Sequence, residues 1–83
     1  MRVTFKLYAS LGEYLPPEAV DHAVELEYDA PVTPFQLLDR FGVPHALAHL
    51  VLRNGVFVPP GERDCLLLAD GDALAVWPPV AGG

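Results

Sequence analysis

The residues best suited to chemistry in this sequence are the last six, residues 78–83. They follow an apolar run, residues 73–77, that is typical of a buried strand. Pro78 and Pro79 remove two amide donors, so we expect the sheet ladder to end there. Because Gly82 and Gly83 carry no side chains, the segment is slender and presents one α-carboxylate. Its extended length of up to roughly 20 Å would let it deliver that carboxylate into a channel of another protein.

A carboxylate at Gly83 would need activation before a nucleophile could attack it, because a carboxylate is a poor electrophile. An acyl-adenylate made with ATP is one such activated form. The sequence contains neither GxxxxGK[ST] nor GxGxxG, the patterns that would indicate a nucleotide site. Its five basic residues are dispersed along the chain: Arg2, Lys6, Arg40, Arg53 and Arg63. We therefore expect no cofactor bound by this chain, and ATP used by an activating partner.

Other reactive side chains give weaker signals. His45 and His49 have the spacing of four that can bind a metal on a helix, but no adjacent glutamate or third ligand accompanies them. A surface or packing role is the simpler interpretation, and no metal site is predicted. Cys65 lies beside the apolar residues 66–68 and is predicted to be a small core residue. No Ser/His/Asp or paired-carboxylate arrangement is recognisable, so a self-sufficient active site is not predicted.

Composition restricts the classes of protein that this chain could belong to. Eighty-three residues suffice for one domain, and 52% hydrophobic with 19% charged residues is globular. The net charge of −6 argues against nucleic-acid or anionic-membrane partners and suits a basic protein surface. No apolar run is long enough to span a bilayer and no signal-peptide pattern opens the sequence, so we expect a cytoplasmic protein.

Two strands are predicted before the first helix. Residues 2–9 alternate with period two, which places Val3, Phe5 and Leu7 on one face. Residues 22–28 form the second strand, and the two are expected to pair antiparallel across a long loop. Prolines at positions 16 and 17 limit that loop to a turn around residues 11–15.

A short helix is predicted over residues 34–41. Thr33 is a good N-cap, Pro34 suits the first position, and Gln36 completes a capping box. Gly42 fits the C-terminal cap. The apolar face is predicted from three-residue spacing: Phe35, Leu38 and Phe41.

The second half of the chain is predicted to be mostly extended. Residues 45–49 are either a helical turn or the approach to a strand over residues 50–53. Asn54-Gly55 is a strong hairpin signal, with the return strand at residues 56–58. Residues 65–68 are either a 3₁₀ turn or a strand, and residues 73–78 form the last strand. The apolar N-terminal and C-terminal strands are expected to lie parallel at the centre of the sheet.

The end of the chain resembles the MoaD/ThiS family of ubiquitin-like β-grasp proteins. The resemblance is most specific over residues 70–83, where Asp-Gly-Asp, an apolar strand and Pro-Pro-Val-Ala-Gly-Gly follow one another. The Pro-Pro-Val-Ala segment favours the MoaD branch. This resemblance implies an α+β, β-grasp fold with a mixed sheet of four or five strands packed on one short helix. It implies a domain over residues 1–77 and a flexible carrier tail over residues 78–83.

The resemblance also implies a function. MoaD is the sulfur-carrying small subunit of molybdopterin synthase and is not catalytic by itself. By analogy, a MoeB-like enzyme would adenylate Gly83, and sulfur would replace AMP to give a thiocarboxylate. Gly82 would permit tight passage of the tail. A MoaE-like large subunit would supply the catalytic side chains for molybdopterin formation.

The partner-binding residues follow from the same likeness, since β-grasp carriers dock partners on an apolar patch of the exposed sheet face. The candidates are Phe57, Trp77, Pro78, Pro79, Val80 and Ala81. Trp77 could instead close the core near the edge of the sheet. Two further alternatives stay open for the whole chain: a ThiS-like carrier serving thiamine or another thiolated metabolite, and a β-grasp interaction module that never carries sulfur.

Overall fold

The computed structural model describes residues 1–80, so the predictions for Ala81, Gly82 and Gly83 lie outside the described residues. Over residues 1–80 there are five strands: β1 (Arg2–Leu7), β2 (Ala23–Glu27), β3 (Leu50–Arg53), β4 (Val56–Phe57) and β5 (Ala73–Trp77). The α-helix α1 spans Pro34–Arg40, and 3₁₀ helices span Ala9–Tyr14, His45–Leu47 and Pro60–Glu62. No helix in this range has the length and apolar character needed to cross a membrane.

The strands form one mixed sheet in the order β2-β1-β5-β3-β4. β1 pairs antiparallel with β2 and parallel with β5, which places Phe5 beside Leu74. β3 pairs antiparallel with both β5 and β4. The predicted antiparallel pairing of the first two strands and the parallel central pair are confirmed. The molecule therefore has the predicted α+β, β-grasp architecture.

The core lies between α1 and one face of the sheet. Alternate residues of β1, namely Val3, Phe5 and Leu7, are completely buried, as period two requires. The neighbouring strand β5 contributes Leu74 and Val76 to the same face. On the opposite face of the sheet the alternating residues, such as Thr4, Ala75 and Trp77, are only partly buried, and we call it the open face.

Both ends of α1 are capped as predicted. The Thr33 hydroxyl accepts from the Gln36 amide at 3.2 Å, and the Gln36 side chain accepts from the Thr33 amide at 2.8 Å. At the other end Gly42 adopts φ +72°, and its amide donates to the Asp39 carbonyl. The next amide, of Val43, donates to the Leu38 carbonyl, which completes a Schellman motif.

The predicted apolar face of the helix was partly wrong. The buried residues of α1 are Pro34, Leu37 and Leu38, which follow the i, i+3, i+4 pattern of one helix face. Phe35 is half-buried at the side and stacks on His45, with ring centroids 3.9 Å apart. Phe41 follows the helix and stacks on Phe5 at 5.6 Å. Strict three-residue spacing thus identified Phe35 and Phe41, which pack against the edge of the core, and missed the buried Pro34 and Leu37.

Strand ends also differ from prediction, because left-handed residues end the ladders. β1 stops at Leu7 instead of residue 9, since Ala9 has φ +52° and begins a 3₁₀ helix. β2 starts at residue 23 because His22 has φ +64°. The Asn54-Gly55 hairpin is confirmed: both residues have positive φ, which a type I′ turn requires.

Residues 65–68 are neither the strand nor the 3₁₀ turn that the sequence predicted. Cys65 lies in a turn and is exposed, so its predicted core role is wrong. Leu68 fills the core instead, and its amide donates to the Val32 carbonyl at 2.8 Å. The amides of Cys65 and Leu66 donate to the Glu62 carbonyl, so turn hydrogen bonds and the bond to Val32 fix this segment, and no periodic pattern encodes them.

Candidate functional site

The C-terminal segment leaves the sheet at its centre. β5 lies between β1 and β3, and the Trp77 carbonyl accepts from the His49 amide at 3.0 Å. Pro78 and Pro79 have no amide hydrogen, so the ladder ends there, as expected. Pro79 and Val80 are exposed, Val80 to 77%. The last described residues therefore extend away from the middle of the domain.

Trp77 lies on the open face and is held by an aromatic stack. Leu74 and Val76 point into the core, so the alternating Trp77 lies on the other side of the sheet. Its ring stacks on Tyr8 with centroids 4.5 Å apart and planes 9° apart. Tyr8 in turn stacks on His22 at 5.5 Å. The indole is therefore a fixed, half-buried wall on the open face and does not close the core.

A groove of about 450 Å³ borders this wall. It lies between residues 9–10, residues 49–50 and residues 77–80. Three predicted partner-binding residues, Pro78, Pro79 and Val80, line it together with Trp77. Because the lining is mainly apolar, the groove suits an apolar side chain of a partner better than a charged ligand.

An apolar stripe continues from the groove across the open face. Leu50 lies opposite Trp77, and Leu52 lies between Ala75 and Phe57 in the strand register. Phe57 is 51% exposed, although it is a large aromatic residue. We call residues 50, 52, 57, 75 and 77 the docking face. The predicted residue Phe57 thus shares one surface with the start of the tail.

The other half of the open face is charged. The Arg2 guanidinium lies 2.8 Å from a Glu27 oxygen and 3.7 Å from a Glu25 oxygen. The hydrogen bond and the charge of Arg2 lower the pKa of Glu27. These pairs lie on the β1–β2 side, away from β3 and β4. The open face is therefore divided into an apolar half and an ionic half.

The weaker candidates do not form a site among residues 1–80. His45 Nε2 lies 2.6 Å from Asp39 Oδ1, and its 3₁₀ helix ends at Leu47, so His45 and His49 do not share a helix. The structure brings no group of three metal-ligand side chains together in this range. Desolvation and the neighbouring Asp64 carboxylate raise the pKa of the Cys65 thiol, which disfavours the reactive thiolate.

Arg63 was missed as a structural residue by the sequence interpretation. It is 4% exposed, and its guanidinium donates to the carbonyls of Ala48, His49 and Val58. Tyr8 was also missed as a site residue. Tyr8 directly follows β1, and its position beside Trp77 depends on the register of the parallel pairing of β1 with β5, which no local signal gives; no local signal marks Arg63 as buried either.

Comparison with known proteins identifies what the chain is similar to. A family model described as Mut7-C ubiquitin matches residues 1–82. The crystal structure of SAMP1 from Haloferax volcanii is 30% identical with a TM-score of 0.65, and each chain is covered completely. The solution structure of the Haloferax volcanii HVO 2177 protein is 26% identical with a TM-score of 0.74, over 100% of this chain and 87% of that one.

A third structure shares the fold alone. It is the complex of subunits 1 and 2 of the molybdopterin-converting factor from Helicobacter pylori, at 16% identity and a TM-score of 0.58 with complete coverage of both chains. No curated protein matches the sequence significantly.

Proposed function

The chain belongs to the Mut7-C ubiquitin family of ubiquitin-like proteins, and from that membership we propose that it is a sulfur carrier whose Gly83 carboxylate becomes a thiocarboxylate. Its likeness to small β-grasp proteins such as SAMP1 supports a carrier or modifier. The ending Pro-Pro-Val-Ala-Gly-Gly supports the carrier in particular. Residues 1–77 are the docking domain in this proposal, and residues 78–83 are the tail.

The chemistry requires two steps that a partner performs. A Gly83 carboxylate oxygen attacks the α-phosphorus of ATP and displaces pyrophosphate, which gives an acyl-adenylate. Hydrosulfide then attacks the acyl carbon, AMP leaves, and loss of a proton gives the thiocarboxylate. A MoeB-like adenylating enzyme would hold ATP. This chain contributes the carboxylate, and Gly82 beside it lets the chain pass through a narrow active-site channel.

One observation carries the proposal: the chain leaves the central strand at Trp77 beside an apolar groove, with Pro79 and Val80 exposed. A partner that covered the docking face would therefore meet the start of the tail at the same time. The aromatic Phe57 and Trp77 are suitable anchors for such a contact. The proposed tail residue Ala81 follows directly.

We further propose that the sulfur is destined for molybdopterin. In that pathway a MoaE-like subunit would receive the tail, and two sulfur transfers would build the dithiolene. The support is the Pro-Pro-Val-Ala segment before the two glycines, which resembles the MoaD branch of the family. Delivery to thiamine by a ThiS-like route is the alternative destination. The two destinations can be distinguished by supplying the thiocarboxylated chain to the purified molybdopterin system and to the purified thiamine system, and by observing which of them takes the sulfur.

Intact-mass measurement tests the carrier chemistry directly. The full chain is incubated with a MoeB-like enzyme, ATP and sulfide. We expect an ATP-dependent increase in its mass that corresponds to the replacement of one oxygen atom by sulfur. Deleting Gly83, or adding one residue after it, should abolish the gain while the circular dichroism spectrum stays unchanged. A chain without Gly83 that still accepts sulfur would refute the tail assignment.

Protein modification is a second candidate, which the similarity to SAMP1, a small archaeal modifier protein, favours. In that case a lysine amine attacks the same acyl-adenylate, AMP leaves, and an isopeptide bond forms. Omitting sulfide and adding lysine-containing acceptor proteins should then give conjugates of higher mass. A non-carrier interaction module would show no ATP-dependent change of mass in either reaction.

A further inference from the structure

The guanidinium of Arg63 is buried against backbone carbonyls. Nη1 donates to the Ala48 carbonyl at 2.6 Å, Nη2 to the His49 carbonyl at 3.2 Å, and Nε to the Val58 carbonyl at 3.0 Å. Within residues 1–80 no carboxylate lies at ion-pair distance from it. A buried charge is costly unless it is hydrogen-bonded, so these three carbonyls are what make the position tenable.

The three carbonyls belong to two separate segments. Ala48 and His49 precede β3, and Val58 follows β4. The planar fork of arginine holds its acceptors in a fixed geometry, which the flexible point charge of lysine does not. Arg63 therefore fixes the distance between these segments. Its own carbonyl accepts from the Phe35 amide at 3.0 Å, which ties the same residue to the first turn of α1.

The two segments carry opposite ends of the docking face. His49, whose carbonyl accepts from Arg63, donates its amide to the Trp77 carbonyl at 3.0 Å, directly before the two prolines. At the other end, the guanidinium carbon lies 5.9 Å from the centroid of the Phe57 ring. One side chain thus contacts both the aromatic anchor on β4 and the segment that pairs with the start of the tail.

We propose that Arg63 is a positioning residue for carrier activation. It sets the Phe57 ring and the Trp77 carbonyl at one separation, so that a partner docked on Phe57 receives the tail in its channel. Arg63 acts through the carbonyls of His49 and Val58, to which its guanidinium donates. This inference rests on the proposed carrier function.

Steady-state activation of the full chain by a MoeB-like enzyme tests this role. Arg63→Lys keeps the charge and loses the fork, so we expect KM for the carrier chain to rise roughly tenfold, the loss of a charge-assisted hydrogen bond. We expect kcat to stay within about twofold of the wild-type value, because a tail that has already entered the enzyme should react at the same rate in the variant and in the wild-type chain. The matched control is Arg40→Lys on the exposed side of α1, where both constants should remain unchanged.

Amide exchange in the free chain separates positioning from simple stabilisation. In Arg63→Lys we expect faster exchange at the His49 amide, while the core amides of β1 and β5 keep wild-type rates. A wild-type KM in Arg63→Lys would overturn the proposal. Uniformly faster exchange at all amides would also overturn it, because Arg63 would then serve general stability.

Failure of the proposed carrier function can be distinguished from failure of the positioning role by the activation of the wild-type chain. If the enzyme does not activate even the wild-type chain, the proposed function fails and the positioning role falls with it. The exchange rate of the His49 amide still shows in that case whether Arg63 holds the segment. Arg63→Met, which removes the donors, provides a second variant for the exchange measurement.

Discussion

Phe57 and Val56 are adjacent residues of β4 that lie on opposite sides of the sheet. Phe57 lies opposite Leu52 on the docking face, and Val56 lies opposite Arg53 on the other face. Both are more than half exposed, at 51% and 65%. Substituting each residue in turn therefore distinguishes an effect on partner contact, expected only at Phe57, from an effect on the stability of β4, which both residues could have.

We predict that Phe57→Ala weakens binding to the activating partner by about 1–2 kcal/mol, as expected for an aromatic anchor. The free energy of unfolding should change by less than about 1 kcal/mol, because the ring is half exposed. Titration calorimetry and urea denaturation measure the two quantities. Val56→Ala is the control and should leave binding unchanged. Equal losses of affinity in both variants would contradict the docking face.

Asp72 accepts two hydrogen bonds in the turn before β5, so its ionisation affects the stability of that turn. Partial desolvation raises the pKa of its carboxyl, but hydrogen bonds from the Ala69 amide and the Asn54 side chain outweigh it. The net pKa is lowered, and both hydrogen bonds measure 2.8 Å. The ionised carboxylate therefore stabilises the folded turn.

The sign of the pH dependence follows from that lowered pKa. The stabilisation by Asp72 is complete above the pKa of the unfolded chain, about 4, and is lost as the pH falls through the lower folded pKa. We predict that Asp72→Asn costs about 1 kcal/mol at pH 7 and clearly less near pH 3. Urea denaturation at both values checks this. Glu18→Gln, an exposed control, should show no such convergence.

At the scale of elements, α1 depends on its caps because it is only seven residues long. An isolated helix of that length is unstable, so capping and packing supply its stability. We predict that Thr33→Ala lowers the free energy of unfolding by about 1 kcal/mol, since it removes the hydroxyl that accepts from the Gln36 amide. Thr33→Ser should retain most of the stability. An unchanged urea midpoint in Thr33→Ala would show that packing alone holds the helix.

The elements that the sequence predicted well are those encoded by neighbouring residues. Period two identified the buried face of β1, and the capping box identified the start of α1. Asn54-Gly55 identified the hairpin because both positions need positive φ. The parallel central pair was predicted because the N-terminal and C-terminal strands are the most apolar of the chain, although only one face of each is fully buried.

Features that depend on distant contacts could not be predicted. The burial of Arg63 requires carbonyls from residues 48, 49 and 58 to converge, and no local pattern records that. The position of Trp77 depends on Tyr8, which is far away in sequence and joins it through the parallel pairing of β1 with β5. Cys65 was placed in the core because its neighbours are apolar, whereas the chain forms a turn there that leaves it exposed.

At the scale of the whole molecule, shape and charge favour the same kind of partner. The net charge is −6, Arg63 is buried, and Arg2 is paired with Glu27. The molecule as a whole is therefore acidic, while the docking face itself is apolar. Long-range attraction would bring a basic partner to the molecule, and apolar contact would then hold it.

This division of roles predicts how salt affects association with a basic activating enzyme. Raising the salt concentration from about 0.05 M to 0.5 M shortens the Debye length severalfold, so we expect the association rate constant to fall by roughly tenfold. The dissociation rate constant should change little, because the apolar contact is not screened. Stopped-flow mixing measures both. Phe57→Ala should act on the other rate constant. We expect faster dissociation from the partner, while the association rate constant depends on salt as it does for the wild-type chain. An association rate that did not respond to salt would show that the acidic surface does not guide the encounter.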